Sequence, residues 1–209
     1  METGIEGLHL YPGQVSATHQ RRLVAALAEA MRAAPPYRPR MPRTGKPWSI
    51  RQTNLGPLGW LSSPEGYGYG PVHPLTQEPW PAIPQLLLDL WQENIKSLQG
   101  PECCLVNLYD SPKARMGLHQ DRDEAALDTP VLSLSLGDTC VFRVGGLARS
   151  DPTSSFKLAS GDVLVLGGPA RLRFHGVDRI VPGSSRLLDD TLGHGGRINL
   201  TLRRVTKPA

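Results

Sequence analysis

Long apolar runs, a secretory signal and paired cysteines are all missing from this sequence of 209 residues. No stretch approaches the roughly 20 apolar residues that a membrane-spanning helix requires, so the sequence predicts no membrane partner. Residues 1–13 lack the basic-then-apolar layout of a secretory signal, and we therefore expect a soluble, cytoplasmic protein. The cysteines, Cys103, Cys104 and Cys140, form no CxxC pair, which argues against a zinc clip or a redox motif.

Charge is modest overall, at +4, but it is unevenly distributed along the chain. The acidic residues of the first 60 positions are only Glu2, Glu6 and Glu29. The basic residues of the same segment are Arg21, Arg22, Arg32, Arg38, Arg40, Arg43, Lys46 and Arg51. Such a surplus suits the phosphate backbone of a nucleic acid, although a solvated surface explains it equally well.

Aromatic residues are scarce, at 6% of the chain, yet several are concentrated between positions 48 and 81. They are Trp48, Trp60, Tyr67, Tyr69 and Trp80. Aromatic side chains on loops can stack on nucleobases, or they can form a small satellite core beneath the loops. For Trp48 and Trp80 we favour the satellite core.

The 20 prolines and 22 glycines indicate many turns, which argues against a helical bundle. Helical periodicity is confined to residues 16–34 and 84–97. Beyond residue 100 the apolar pattern has a period of two, in short runs separated by turn residues. We predict strands at 103–109, 131–136, 140–144, 154–158, 162–166, 172–174 and 197–204.

These elements predict an α+β chain that is mainly β, with a jelly-roll core. We expect residues 1–209 to form a single domain, because this length suits one substantial core. In this division residues 101–206 form the core, and residues 1–100 supply supporting helices and an irregular lid.

The first candidate site is His119-Gln-Asp121, because residues two apart in an extended segment project to the same side and can share a metal ion. His175, at the end of a predicted strand, would complete two histidines and one carboxylate. This set leaves open positions on one face of the metal, as in the non-haem iron(II) oxygenases. Each histidine taken alone is more often a structural or surface residue.

The second candidate site is the last predicted strand, in which Arg197, Asn199, Thr201 and Arg203 share one face. If that face lines the mouth of the barrel, the two guanidinium groups suit a dicarboxylate. If the opposite, apolar face packs between the sheets, the polar face is merely exposed to solvent. Upstream, Asn107 and Tyr109 share a face of their own strand in the same way.

Together these motifs resemble the AlkB family of alkylation-repair dioxygenases, in its bacterial DNA-repair branch. The strings that carry the resemblance are NLY at 107–109, LHQDRDE at 118–124, VLSLSLG at 131–137, GGLAR at 145–149, FHG at 174–176 and RINLTLR at 197–203. Upstream, TNLGPLGW at 53–60 and PWPAIP at 79–84 extend it, so that it covers residues 48–204. The departures are Ile198, where the family often has an aromatic residue, and a long turn at 182–196 that contains His194.

The resemblance implies a double-stranded β-helix with N-terminal helices and a nucleotide-recognition lid. It implies that Fe(II) is bound by His119, Asp121 and His175. It implies that 2-oxoglutarate is held by Asn107, Tyr109, Arg197, Asn199 and Arg203. It also implies that a flipped base lies between Trp60 and His119 and is bordered by Tyr67, Asp123 and Arg149. A carboxylate there favours the cationic bases that N-methylation creates over neutral, undamaged ones.

The implied activity is oxidative demethylation of bases such as 1-methyladenine and 3-methylcytosine. It uses Fe(II), O₂ and 2-oxoglutarate, and it releases formaldehyde, succinate and CO₂. The expected partners are single- or double-stranded DNA, or RNA, and the expected state is a monomer. Two alternatives stay open: a hydroxylase of the same type that acts on a protein or a small molecule, and a catalytically silent barrel that only binds nucleic acid.

Overall fold

The computed structural model describes residues 3–193 and 195–207. Within these residues the strands are β1 (Leu8–Tyr11), β2 (Arg51–Leu55), β3 (Gly59–Ser63), β4 (Gly66–Gly70), β5 (Cys103–Tyr109), β6 (Met116–His119), β7 (Val131–Gly137), β8 (Cys140–Val144), β9 (Ser154–Leu158), β10 (Val163–Leu166), β11 (His175–Ile180) and β12 (Arg197–Arg203). The helices are α1 (Ala17–Ala33), α2 (Gln85–Ile95) and α3 (Asp189–Leu192), with a 3-10 turn at Gly168–Ala170. None of the described helices is long and apolar enough to cross a bilayer.

Two antiparallel sheets form a jelly roll, as the sequence predicts. The larger sheet has the order β1-β10-β7-β12-β5-β2, and the smaller one has the order β6-β11-β8-β9. The strand β12 therefore lies at the centre of the larger sheet, between β7 and β5. Side chains from both sheets, including those of Leu164, Phe142 and Val177, pack together in the space between them and form the apolar part of the cavity lining.

The two long helices cover the outer face of the larger sheet. Ser16 caps α1, because its hydroxyl oxygen accepts a hydrogen bond from the backbone N–H of His19 at 3.3 Å. The buried stripes of α1 and α2 then pack on the apolar faces of β5, β7 and β12. The apolar side of β12, with Ile198, Leu200 and Leu202, points to these helices and not to the space between the sheets. Its polar side therefore faces inward.

A separate hairpin of β3 and β4 stands beside the larger sheet and carries Trp60 on its first strand. Gly59 lies against Trp80, where a Cβ would come within 2.3 Å of the indole ring, so this position requires glycine. Trp80 is only 6% exposed, and it donates a hydrogen bond from Nε1 to the carbonyl of Gly70 at 2.9 Å. Trp80 is therefore buried against the hairpin and is not exposed on a loop.

The predicted strand at 172–174 is wrong, since the strand begins at His175 and continues to Ile180. Its sequence, HGVDRI, contains a glycine and an aspartate, which are typical of turns and uncommon in strands. Gly176 is needed because a Cβ there would lie 2.5 Å from the carbonyl oxygen of Met116 on the neighbouring strand β6. The short strands β1, β2, β3, β4 and β6 were also not predicted from the sequence.

Candidate metal centre and substrate cavity

Pairing of the smaller sheet brings His119, Asp121 and His175 together. In the ladder of β6 and β11, His119 is the direct partner of His175, and their ring centroids lie 4.6 Å apart. Asp121 follows β6 in the loop, with its carboxylate 3.6 Å from Nε2 of His119 and 3.8 Å from Nε2 of His175. The candidate ligand atoms all lie within 4.8 Å of one another. The predicted cluster is therefore present.

The hydrogen bonds of both histidines suit a metal. Nδ1 of His119 lies 2.9 Å from the carbonyl oxygen of Gly117, and Nδ1 of His175 lies 2.9 Å from that of Arg173. A carbonyl only accepts, so each Nδ1 carries the hydrogen and each neutral ring keeps a free electron pair on Nε2. Burial, together with His119, lowers the pKa of His175 to about 4, so this ring is neutral at physiological pH.

Asp121 supplies the negative charge of the cluster. Burial opposes its ionisation, but Arg203 and the two histidines outweigh burial and hold the pKa of Asp121 well below its ordinary range. The donor set is thus two imidazoles and one carboxylate, which is the set that non-haem iron(II) oxygenases use. The residues therefore fit an iron(II) ion.

Arg203 is engaged with protein carboxylates. Its Nη2 donates a 2.8 Å hydrogen bond to Asp121, and its Nε lies 3.3 Å from Glu124. Its Nη1 donates to the hydroxyl of Tyr69 at 3.2 Å, and the same hydroxyl donates to Glu124. Burial raises the pKa of Tyr69, so the hydroxyl stays protonated. Arg203 thus links the metal centre to the hairpin of β3 and β4.

Two residues of this network were not predicted as site residues. The side chain of Glu124 is 1% exposed, and that of Arg171 is 4% exposed, with 3.1 Å between Nη2 and Oε2. Arg171 also donates to the backbone carbonyl of Asp121 at 2.6 Å. Glu124 lies inside the LHQDRDE string, but nothing in the sequence signals its pairing with an arginine 47 residues away.

The polar face of β12 lines a cavity of about 670 Å³ that also contains the metal cluster. Arg197 is paired in register with Tyr109, and Asn199 with Asn107, so the side chains predicted to hold 2-oxoglutarate share one wall. Of the two interpretations of this strand, the one in which its polar face lines the barrel is correct.

Arg197 is a buried cation without a carboxylate partner among the described residues. It is 1% exposed, and it donates to the hydroxyl of Ser135 at 2.8 Å and to the backbone carbonyl of Asp138 at 3.4 Å. Its Nε and the Oδ1 atom of Asn107 are buried without a hydrogen-bond partner. A buried guanidinium is costly without a counter-charge, so this wall suits an anionic carboxylate ligand.

The residues predicted to border a base line the mouth of the same cavity. Trp60 and Tyr67 are stacked, with ring centroids 5.1 Å apart and an interplanar angle of 27°. Trp48 packs beside Trp60 at 5.5 Å, as predicted for a satellite core, and it also lines the cavity. The indole Nε1 of Trp60 donates a 2.9 Å hydrogen bond to Asp123. Asp123 therefore holds the aromatic ring as well as supplying charge.

Arg149 lies between the segments that carry the two histidines. Its Nη1 donates to the backbone carbonyl of Leu118, and its guanidinium lies 4.9 Å from the ring centroid of Phe174. These residues immediately precede His119 and His175, so Arg149 braces the metal centre as well as lining the cavity. His194, the competing histidine of the 182–196 turn, lies outside the described residues.

Comparison with known proteins agrees with this geometry. The family model of the 2OG-Fe(II) oxygenase superfamily matches residues 7–203. The chain is 54% identical to the alpha-ketoglutarate-dependent dioxygenase AlkB homolog of Caulobacter vibrioides, over 97% of this chain and 90% of the relative. It is 40% identical to the AlkB dioxygenase of Escherichia coli, over 82% of this chain and 79% of that one. The solved structure of OsALKBH1 matches with a TM-score of 0.79 and 31% identity, over 95% of this chain and 98% of that chain.

Proposed function

The chain belongs to the AlkB family of the 2OG-Fe(II) oxygenase superfamily, and we propose that it removes alkyl groups from the nitrogen atoms of damaged nucleobases. It is a dioxygenase that uses Fe(II), 2-oxoglutarate and O₂. Relatives in Arabidopsis thaliana and Schizosaccharomyces pombe are named as a DNA N(6)-methyladenine demethylase and a tRNA demethylase. The chain accordingly acts on alkylated nucleic acid, and 1-methyladenine and 3-methylcytosine are the lesions we propose.

One observation carries this proposal: His119, Asp121 and His175 share a cavity with the buried, carboxylate-free Arg197. Iron(II) held by the three ligands would supply the oxidising chemistry: 2-oxoglutarate takes one atom of O₂ and becomes succinate and CO₂, and the N-methyl carbon of the base takes the other atom and leaves as formaldehyde. A silent barrel would not need both features in one cavity.

We assign the cosubstrate to the wall of β5 and β12. Arg197 is the charge partner of one carboxylate, since its other contacts are neutral. Asn107, Tyr109 and Asn199 line the same wall and supply hydrogen bonds. Burial raises the pKa of Tyr109, so its hydroxyl remains a donor. Arg203 joins this set through its position beside Asp121, where it orients the carboxylate ligand.

We assign the flipped base to the mouth of the cavity. Trp60, His119, Tyr67 and Arg149 all line this cavity, and we assign Trp60 as the stacking face on one side of the base and the ring of His119 as the wall on the other. Asp123 places a negative charge beside the base, which favours a cationic, N-methylated ring over a neutral one. This arrangement supports selection of damaged bases before any oxidation takes place.

The proposed partner is single- or double-stranded DNA, or RNA, bound by a monomer. The hairpin of residues 40–47 carries basic residues beside the mouth, because Met41 and Pro47 line the cavity. We propose that residues 1–209 act as one catalytic domain, with 101–206 as the jelly-roll core and 1–100 as support and lid.

The test is mass spectrometry of oligonucleotides that carry a single 1-methyladenine or 3-methylcytosine. We expect the oligonucleotide to lose one methyl group, with stoichiometric succinate, only when iron(II), 2-oxoglutarate and O₂ are all present. Undamaged oligonucleotide is the substrate control, and His175→Ala is the enzyme control. Succinate formation that no alkylated DNA or RNA stimulates would contradict the proposal and favour a protein or small-molecule substrate.

A further inference from the structure

The side chain of Asn54 spans both backbone polar groups of Trp60. Its Oδ1 accepts a hydrogen bond from the backbone N–H of Trp60 at 3.0 Å, and its Nδ2 donates to the backbone carbonyl of Trp60 at 3.1 Å. Asn54 is fully buried, at 0% exposure. On the edge of β3 that is not paired with β4, the carboxamide of Asn54 therefore satisfies the backbone N–H and carbonyl that a neighbouring strand would otherwise satisfy.

The orientation of the amide follows from its partners. A backbone N–H can only donate and a carbonyl can only accept, so only one of the two orientations of the amide satisfies both contacts. Residues 56–58 form the loop between β2 and β3, and Asn54 closes this loop by its side-chain contacts with Trp60. The thiol of Cys103 lies 3.6 Å from Oδ1 and completes the surroundings of the amide.

Trp60 is held from several directions as a result. Its backbone is fixed by Asn54 on one edge, and it is paired with Tyr69 on the other edge of β3. Its indole Nε1 is fixed by Asp123. If the Trp60 ring occupied several positions, binding a base would have to fix it in one of them. The lost conformational entropy would then weaken the affinity for the base. The hydrogen bonds that fix the backbone of Trp60 therefore contribute to the affinity for the base, together with the ring.

We infer that Asn54 is a positioning residue that sets the affinity for the flipped base by holding Trp60 in place, without touching base, metal or cosubstrate. This inference rests on the proposed function, which places the base against Trp60. It predicts a defect confined to base capture. The residues proposed to bind iron(II) and 2-oxoglutarate lie on other strands, so the affinities for both should be unchanged.

A matched control lies one residue away on the same strand. Thr53 is also 0% exposed, and its hydroxyl donates to the backbone carbonyl of Ala34 at 2.9 Å, on the helix side of the sheet. Asn54→Ala removes two buried hydrogen bonds between a side chain and the backbone, and Thr53→Val removes one. Only Asn54→Ala removes one that holds Trp60.

We expect Asn54→Ala to raise KM for a 1-methyladenine oligonucleotide about tenfold, since stacking on one aromatic ring is worth about this much or more. The kcat should stay within about twofold, as should cobalt(II) and 2-oxoglutarate affinities measured without O₂. Thr53→Val should match the wild type in KM, even if both variants lose thermal stability. A higher KM for Thr53→Val, or an unchanged KM for a folded Asn54→Ala, would overturn the inference.

A second readout needs no turnover. The indole N–H resonance of Trp60, identified by its loss in Trp60→Phe, should shift and exchange faster with solvent in Asn54→Ala but not in Thr53→Val. If Asn54→Ala does not fold, slow exchange of the Trp60 backbone amide in the wild type still tests the bond to Asn54, and fast exchange would overturn the inference. Absence of repair by the wild type contradicts the proposed function, whereas an unmoved Trp60 resonance in a folded Asn54→Ala contradicts only the role of Asn54.

Discussion

Arg203 donates a hydrogen bond of 2.8 Å from Nη2 to Oδ1 of Asp121, so a predicted cosubstrate residue is bonded directly to a predicted metal ligand. The same guanidinium lies 3.3 Å from Glu124, and its charge is thereby compensated within the protein. Arg197, on the same strand, has only neutral partners among the described residues. Replacing Arg203 should therefore remove contacts with protein carboxylates, whereas replacing Arg197 should remove a cation that is free to pair with a ligand.

Alanine at Arg197 and at Arg203 should give different defects. Arg197→Ala should weaken 2-oxoglutarate binding by about 1.5 to 3 kcal/mol, because it removes one charge-assisted hydrogen bond, and it should leave metal affinity unchanged. Arg203→Ala should also lower cobalt(II) affinity, and it should destabilise the fold by about 3 to 5 kcal/mol because Glu124 is deprived of one of its buried partners. Anaerobic titration and urea denaturation measure the two effects. Identical profiles for both variants would contradict the distinction.

The three metal ligands should likewise differ in their effect on stability. His119→Ala, Asp121→Ala and His175→Ala should each abolish cobalt(II) binding and turnover. His119 is partly exposed, so its replacement should cost little stability. Asp121→Ala removes the acceptor of a buried arginine and should cost about 1 to 3 kcal/mol, whereas Asp121→Asn keeps an acceptor and should cost less. Full metal binding by any alanine variant would refute the metal assignment.

The strands that could be predicted from the sequence are those with a regular run of apolar or alternating apolar and polar residues. β5, β8 and β9 were predicted with their observed bounds, because each is a run of apolar or alternating residues between turn residues. The hairpin of β3 and β4 contains glycines and serines, and its pairing depends on Trp80 and Asn54, which lie outside it. Such short strands are stabilised by tertiary contacts that periodicity does not reveal.

The candidate site divides in the same way. His119 and Asp121 could be predicted because residues two apart in an extended segment can share a metal ion. His175 was reached through a predicted strand at 172–174 that is wrong, and the family resemblance independently implied it. Glu124 and Arg171 were missed because a buried ion pair between distant positions leaves no local signature. The hydrogen bond from the indole N–H of Trp60 to Asp123 was missed because it also joins positions that are distant in the sequence.

Glu102 should give the protein an acid-sensitive contribution to stability. Its carboxylate accepts hydrogen bonds from the backbone N–H groups of Val205 at 2.9 Å and Thr206 at 2.7 Å. Burial raises the pKa of Glu102, but these bonds and Arg204 outweigh burial and lower it below the ordinary value of 4.5. A lowered folded-state pKa means that the stabilisation is complete above 4.5 and disappears as the pH falls through the folded-state value.

Glu102→Gln should therefore be less stable than the wild type at pH 6, and the difference should shrink below pH 4.5. Urea denaturation at a series of pH values measures this difference. The acidic limb of the wild type should be steeper than that of the variant. A difference that grows as the pH falls would have the wrong sign and would contradict the role of Glu102.

Only part of the basic surplus of the first 60 residues is free to bind phosphate. Arg38 and Arg51 both contact Asp110, at 3.3 and 2.7 Å. Arg43 and Lys46 lie on the hairpin of residues 40–47 beside the mouth, and their side chains have no hydrogen bond or ion pair among the described residues. The phosphate-binding role should therefore be concentrated in this hairpin.

Combined replacement of Arg43 and Lys46 by alanine should reduce the salt dependence of single-stranded DNA binding. Removing one phosphate contact lowers the slope of log K against log salt by about 0.7. Combined replacement of Arg22 and Arg32 by alanine is the charge control, because it also removes two positive charges and both residues lie on α1 behind the larger sheet. Fluorescence anisotropy from low to moderate salt gives the slopes. An equal change in both variants would indicate a general effect of charge and not a phosphate contact.

Asp123 should act on the base in two separable ways. Its carboxylate supplies negative charge, and it also accepts the indole N–H of Trp60. Asp123→Asn removes the charge but keeps an acceptor, so it should impair repair of cationic 1-methyladenine by up to about tenfold and spare neutral 1-methylguanine. Asp123→Ala should impair both lesions, because Trp60 is also released. We would measure kcat/KM for both lesions at matched enzyme and iron loading. Equal losses on the two lesions for Asp123→Asn would show that the carboxylate positions Trp60 and does not read the charge of the base.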